Sequence, residues 1–141
     1  MKKVLLYIDS MQKGGAQRVM GVLGKHLCDK GVTTLLINDI VPEEGKAEYP
    51  IDARIQRVFL DQDNMKGKNK NFHRVKKLRK IVKMENPDVI LSFMGPPNYR
   101  MLMATLGLHC RKVVSVRNDP YKEYGNTRIR RLIAGLLFRL A

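Results

Sequence analysis

The chain has 141 residues, the size of one domain, which buries roughly two-thirds of the surface its unfolded form exposes. Lys and Arg number 27 against 13 acidic residues, a formal charge of +14 at pH 7, while 44% of the residues are hydrophobic. No stretch approaches the ~20 apolar residues of a membrane-spanning helix, and the two cysteines, Cys28 and Cys110, lie far apart with no metal-ligand spacing.

A surface this basic is drawn to polyanions: nucleic acid, anionic lipid headgroups or phosphorylated substrates. A solvated basic surface without a partner is the plainer alternative. Both cysteines read as free thiols in a reducing compartment. The opening "MKKVLLYIDS" has an apolar run of only five residues, too short for a signal-peptide core, so the cytoplasm is the expected location.

Residues 4–8 are continuously apolar, as in a strand buried on both faces. After the linker "DSMQKGG", Ala16, Val19, Met20, Leu23 and Leu27 fall on one helical face, and Gly31 stops the helix. Residues 32–37 form a second strand, and residues 38–53 a loop with two prolines. Residues 55–60 form a third strand nearer an edge, because Gln56 and Arg57 interrupt it. Phe72, Val75, Leu78, Ile81 and Val82 mark a helix that ends before Pro87, with Phe72, Val75, Leu78 and Val82 expected to face inward.

Residues 89–93 are a fourth strand, broken by "MGPPN", and residues 99–108 a short helix. Residues 112–116 are a fifth strand, and "RNDPYKEYGN" is a loop. Thr127 suits the N-cap of a last helix, whose stripe of Ile129, Leu132, Ile133, Leu136, Leu137 and Leu140 runs to Ala141 with no stop signal. This open end is expected of a chain cut from something longer, or of a true C-terminal helix that frays. Strands alternating with helices imply an α/β fold: a Rossmann-like, doubly wound and mostly parallel sheet of about five or more strands, with helices on both faces. Ligands in such sheets sit beyond the carboxyl ends of the strands.

Three places there carry chemistry. "KGGAQR" puts Gly14 and Gly15 between a strand and a helix, where bare backbone N–H groups suit a phosphate. It is neither G-x-G-x-x-G nor a P-loop, and a tight turn explains the glycines equally well. Asp39 stands where a dinucleotide site has its ribose-binding acid, but the fingerprint is missing. Second, residues 66–83 hold nine Lys or Arg and no acid. On a helix, Arg74, Lys76, Lys77, Lys80 and Lys83 ring the apolar stripe, which suits anionic lipid or a nucleic-acid backbone. His73 is a surface histidine. Third, "SFMGPPN" and "SVRNDP" follow strands. Asp119 suits a general base or an Asp-Pro turn, and Arg117 a phosphate ligand or an ion pair. No Ser/His/Asp, Cys/His or metal cluster is present, which argues against a self-contained hydrolase or metalloenzyme.

The ordered set "KVLLYIDSMQKGGAQRVMGVLGKHLCDKG", "NPDVILSFM" followed by Asn98, and "VVSVRNDP" resembles the N-terminal domain of family 4 retaining glycosyltransferases, along essentially the whole chain. The resemblance implies one half of a GT-B fold: residues 1–141 as the acceptor-side domain, ending before the donor-binding C-terminal domain. It implies transfer of a sugar from a nucleotide diphosphate sugar to a hydroxyl of a glycan or lipid-linked acceptor, as in polysaccharide or lipopolysaccharide synthesis, with no metal and no other cofactor. Gly14, Gly15 and Ala16 would approach the donor diphosphate from across the cleft.

Ser92, Met94, Asn98, Arg117, Asn118 and Asp119 would line the acceptor cleft. Many relatives carry His where this chain has Arg117, and that departure leaves the catalytic group unassigned, with Arg117 and Asp119 as candidates. Lys70, Arg74, Lys76, Lys77, Lys80 and Lys83 would meet an anionic membrane at its inner face. The isolated chain is expected to be inactive, completed by a C-terminal domain in cis or by a partner subunit. The rival expectations are the membrane-recruiting half of a split glycosyltransferase and a basic nucleic-acid-binding module.

Overall fold

A computed structural model of the chain describes residues 2–12, 14–61, 69–116 and 135. The elements run β1 (Lys3–Ile8), α1 (Gly15–Asp29), β2 (Thr33–Ile40), β3 (Gln56–Asp61), α2 (Lys70–Glu85), β4 (Val89–Phe93), α3 (Gly95–Ala104) and β5 (Arg111–Ser115). The strands form one sheet in the order β3-β2-β1-β4-β5, and every pairing is parallel. This is the α/β Rossmann-like architecture expected from the alternating pattern. Of the last helix expected from Thr127 onward, only Gly135 falls within the described residues.

Alternation along the central strand builds two cores. Leu5 and Tyr7 pack with Leu35, Ile37, Ile90, Leu78, Val82, Met101 and Leu102 beneath α2 and α3. Leu6 and Ile8 point the other way, to Met11, Met20, Leu36, Ile55 and Phe93, with Ala16, Leu23 and Leu27 of α1 above them. Each fully buried large side chain contributes about 1.5–3 kcal/mol of transfer free energy. Helix α1 lies close to the sheet because Gly24 has no side chain: a Cβ there would fall 2.7 Å from Ile55 Cδ1 and 3.3 Å from Leu6 Cδ1. β3 is an edge strand, as its polar residues suggest.

Four local expectations change. β2 runs on through Asn38 and Asp39 to Ile40, because β3 pairs with it there and Asp39 N–H bonds to Asp9 C=O at 2.9 Å. "MGPPN" does not delay α3: Pro96 and Pro97 sit in its first turn, where a missing N–H costs nothing and the fixed φ suits the helix. Phe72 is 74% exposed rather than facing the core. Arg74 takes an inward place instead, with only 11% of its side chain exposed, because it lies four and eight residues before the buried Leu78 and Val82 and so shares their stripe. α2 ends on Asn86 in the left-handed conformation, φ 42°, just before Pro87.

Candidate functional site

The chain leaves β1 toward β2 and β3 on one side and returns to β4 on the other, so the carboxyl ends of β1 and β4 flank the crevice where such sheets bind ligands. Two helices start there, α1 after β1 and α3 after β4. Their first turns differ in chemistry.

α1 opens on Gly14, whose extended backbone, φ −169°, any residue could adopt. No side chain caps the helix, and its first turn holds no acid. The first intrahelical bond is Arg18 N–H to Gly14 C=O at 3.0 Å, so the N–H groups ahead of it have no intrahelical acceptor. A Cβ on Gly15 would meet nothing within 4 Å, while one on Gly14 would fall 2.5 Å from Gln17 Oε1. Backbone strain therefore explains neither glycine. What the pair provides is an open approach to a helix start that carries a partial positive charge.

α3 opens on Met94, with a positive φ of 74°, costly for a residue with a Cβ. Met94 N–H bonds to Ser115 C=O at 3.1 Å, and Asn98 N–H to Met94 C=O at 3.0 Å. Pro96 and Pro97 have no N–H to offer. Ser92 and Asn98 are fully buried and bonded to each other at 2.6 Å, while Asn98 Nδ2 donates to Ser115 C=O at 3.2 Å. These two residues brace the β4–α3 turn from beneath, and Met94 is half-buried beside them. The structure thus brings Ser92, Met94 and Asn98 together. Arg117, Asn118 and Asp119 lie outside the described residues.

A buried polar network sits under the carboxyl edge, with little sign of it in the amino-acid pattern. Tyr7 Oη donates to Asp39 Oδ1 at 2.7 Å and accepts from Arg100 Nε at 2.8 Å; Arg100 Nη2 closes the ring on Asp39 Oδ2. Arg100 Nη1 reaches Asn71 Oδ1 at 3.2 Å. Arg74 pairs with Asp61 at 3.1 Å and stands 3.8 Å from Asp39, and its Nε is buried without an acceptor. Burial, with the Asp39 charge beside it, holds the Tyr7 phenol above the usual tyrosine range. Burial likewise raises the Asp39 carboxyl, against the pull of Arg100. Asp39 is therefore spoken for inside the fold and not free for a ribose. The available signal was weak: an Arg inside an otherwise apolar helix, paired with an acid at a strand end.

The outer face of α2 is basic. Lys70, Lys76, Lys80 and Lys83 are exposed and Lys77 is half-exposed. His73, Lys76, Lys77, Arg79, Lys80 and Lys83 line a shallow groove of about 530 Å³. Phe72 and Met84 stand exposed at opposite ends of the helix. Of the six basic residues expected at a membrane, Arg74 alone turns inward.

Doubly wound sheets of this kind take their ligands at the switch point, beyond the carboxyl ends of the strands. The similarities narrow this. No family model matches. The chain is 26% identical over 126 residues to a Campylobacter jejuni protein, GalNAc-alpha-(1->4)-GalNAc-alpha-(1->3)-diNAcBac-PP-undecaprenol alpha-1,4-N-acetyl-D-galactosaminyltransferase, which covers 86% of this chain and 34% of that protein. Among solved structures it is similar to sucrose-phosphate synthase from Thermosynechococcus elongatus, with TM-score 0.68 and 9% identity over 97% of this chain and 40% of that one. A glycosyltransferase from Rickettsia africae matches with TM-score 0.60 and 18% identity, over 86% of this chain and 32% of that one. The chain thus spans about a third of the length of the curated relative. These likenesses support a glycosyltransferase domain.

Proposed function

We propose that this chain is the acceptor-side half of a GT-B glycosyltransferase of the family 4 type, working with a donor-binding half. The reaction moves a sugar from a nucleotide diphosphate sugar to a hydroxyl on a lipid-linked or glycan acceptor. The observation that carries the reading is the uncapped start of α1 at the switch point, with Gly15 open to solvent and Gly14 half-buried beside it. Its N–H groups face the leaving diphosphate, where negative charge develops as the glycosidic bond to the donor breaks. The β4–α3 turn, braced by Ser92 and Asn98, forms the opposite wall and sets the shape of the acceptor cleft. Arg117, Asn118 and Asp119 follow β5 in sequence and belong to that acceptor wall in this reading, with Arg117 and Asp119 the candidates for a catalytic role. No metal or cofactor is assigned to this half.

The basic face of α2 supports a second part of the proposal, attachment to an anionic membrane at the inner face. Each exposed Lys near such a surface contributes about 1 kcal/mol. The curated relative's name describes an undecaprenol-linked acceptor, and an acceptor of that kind is held in a bilayer.

The test is glycosyl transfer by the full-length protein, supplied with nucleotide diphosphate sugars and an undecaprenyl-diphosphate-linked glycan in vesicles. Transfer that disappears when bulky side chains replace Gly14 and Gly15 is expected, together with no turnover by residues 1–141 alone. Turnover by residues 1–141 without a second polypeptide, or tight sequence-dependent duplex binding in place of vesicle binding, would overturn the reading.

A further inference from the structure

The glycine loop is tied down just before its glycines. Gln12 and Glu48 form an isolated antiparallel bridge, and Tyr49 N–H donates to Met11 C=O at 2.9 Å. Glu48 belongs to the long segment between β2 and β3, which has no helix or strand of its own. Segments of that length in compact domains usually serve a function. This one lies along the α1 side of the sheet, with Tyr49, Ile51 and Ile55 packed into the core there. Gly21 of α1 faces it so closely that a Cβ would fall 3.2 Å from Pro50 C=O.

A fork of hydrogen bonds fixes Glu48 in turn. Arg57 on β3 donates from Nη1 and Nη2 to the two Glu48 carboxylate oxygens, both at 2.7 Å. Its Nε donates to Asn38 Oδ1 at 2.7 Å, and Asn38 Nδ2 donates to Ile8 C=O at 3.1 Å. The guanidinium also lies over the Phe59 ring, 4.7 Å from its centroid. Both members of the pair are largely buried. The circuit therefore leaves the backbone at Ile8, where β1 ends, and rejoins it at Gln12, two residues before Gly14.

We propose that Arg57 and Glu48 are positioning residues for the anion site at Gly14 and Gly15. The inference rests on the proposed role of those glycines. A site made of backbone N–H groups binds an anion well only when its amides are already aimed, since otherwise binding must supply the ordering. The loop has no side-chain cap of its own to aim it. A bidentate Arg–carboxylate pair fixes direction as well as distance, which a lysine cannot do. The clamp sets the line on which the chain enters α1.

The experiment uses the ¹⁵N-labelled 141-residue chain and reads the Gly14 and Gly15 amides individually, so that binding to the α2 lysines is seen separately. Inorganic pyrophosphate is the probe. The wild-type chain should show weak, saturable shifts at both amides. Glu48→Gln keeps size and backbone bridge but loses the charge; Arg57→Lys keeps the charge but loses the fork. Each should weaken the titration at these amides by about tenfold, the scale of one well-formed charged hydrogen-bond pair, and speed hydrogen exchange of residues 11–17 while the sheet amides stay protected. Should either variant unfold, the other carries the test, and the milder Glu48→Asp replaces it if both do. Unchanged exchange and unchanged titration in folded variants overturn the positioning role, as does a lower melting temperature with an unchanged titration. A wild-type chain whose glycine amides ignore pyrophosphate, with accelerated exchange in the variants, overturns the anion site itself and leaves only a structural tie.

Discussion

Arg100 on α3 donates its Nε–H to the hydroxyl of Tyr7 on β1 at 2.8 Å, and both side chains hold the Asp39 carboxylate on β2. Three elements far apart in sequence thus meet through charge at a place the hydrophobic pattern does not mark. Replacing Asp39 by Asn leaves Arg100 short of its counter-charge in the interior. The expected loss is about 3–5 kcal/mol, the usual cost of removing one partner of a buried pair, read from urea unfolding. Tyr7→Phe should cost less, about 1–3 kcal/mol, because it orphans one Arg100 donor without unbalancing charge.

Two glycines of one helix should respond oppositely to alanine. Gly15→Ala places a methyl in open space, so thermal stability should hold or rise by up to about 1 kcal/mol. Gly24→Ala drives a methyl to 2.7 Å from Ile55 Cδ1. Overpacking of that kind costs about 1–3 kcal/mol and outweighs the ~1 kcal/mol gained in helix propensity. A melting temperature for Gly24→Ala at or above the wild-type value would show that α1 can shift outward freely.

On α2 the prediction separates neighbours on one helix. Lys76→Gln, Lys80→Gln and Lys83→Gln together should leave folding intact, since all three side chains are exposed. Vesicle affinity for anionic lipid should drop by roughly a hundredfold at low salt, at about 1 kcal/mol per lysine. Arg74→Gln should do the reverse, lowering stability through the Asp61 and Asp39 contacts with little change in vesicle binding. Sedimentation with vesicles and a thermal melt on the same samples decide both.

The acid side of the stability curve should depend on Arg54. Its hydrogen bonds hold Asp52 and, with help from Lys25, Asp29 below the ordinary carboxyl value of 3.8. A carboxylate depressed in the folded state stabilises above its unfolded value and loses that contribution as pH falls through the folded one. Arg54→Ala should therefore lower the melting temperature modestly at neutral pH, the pairs being on the surface. The two melting curves should converge as pH drops below about 4, where the carboxylates of the unfolded chain protonate. A gap that persists unchanged at low pH would assign the effect to packing instead.

Apolar runs and helical spacing were enough to locate all eight described elements, because burial on both faces of a parallel sheet requires just such runs. The edge position of β3 was legible in Gln56 and Arg57, and so was the placement of Gly14 and Gly15 at the junction of a strand and a helix. Pairing and charge, which act across the chain, were not. Where β2 ends depends on β3 lying beside it. That Arg74 can occupy the inner stripe it shares with Leu78 and Val82 depends on Asp61 and Asp39 waiting at the ends of two strands. Spacing alone also left the glycine pair balanced between turn and phosphate cradle. The structure shows extended backbone at Gly14 and empty space around Gly15, so a positive φ requires neither glycine. Local sequence determined which segments are strands and helices, because hydrophobic periodicity is a property of neighbours. Only the tertiary structure decided which polar groups are held inside and which helix start stays open, because those outcomes depend on partners brought together by the fold.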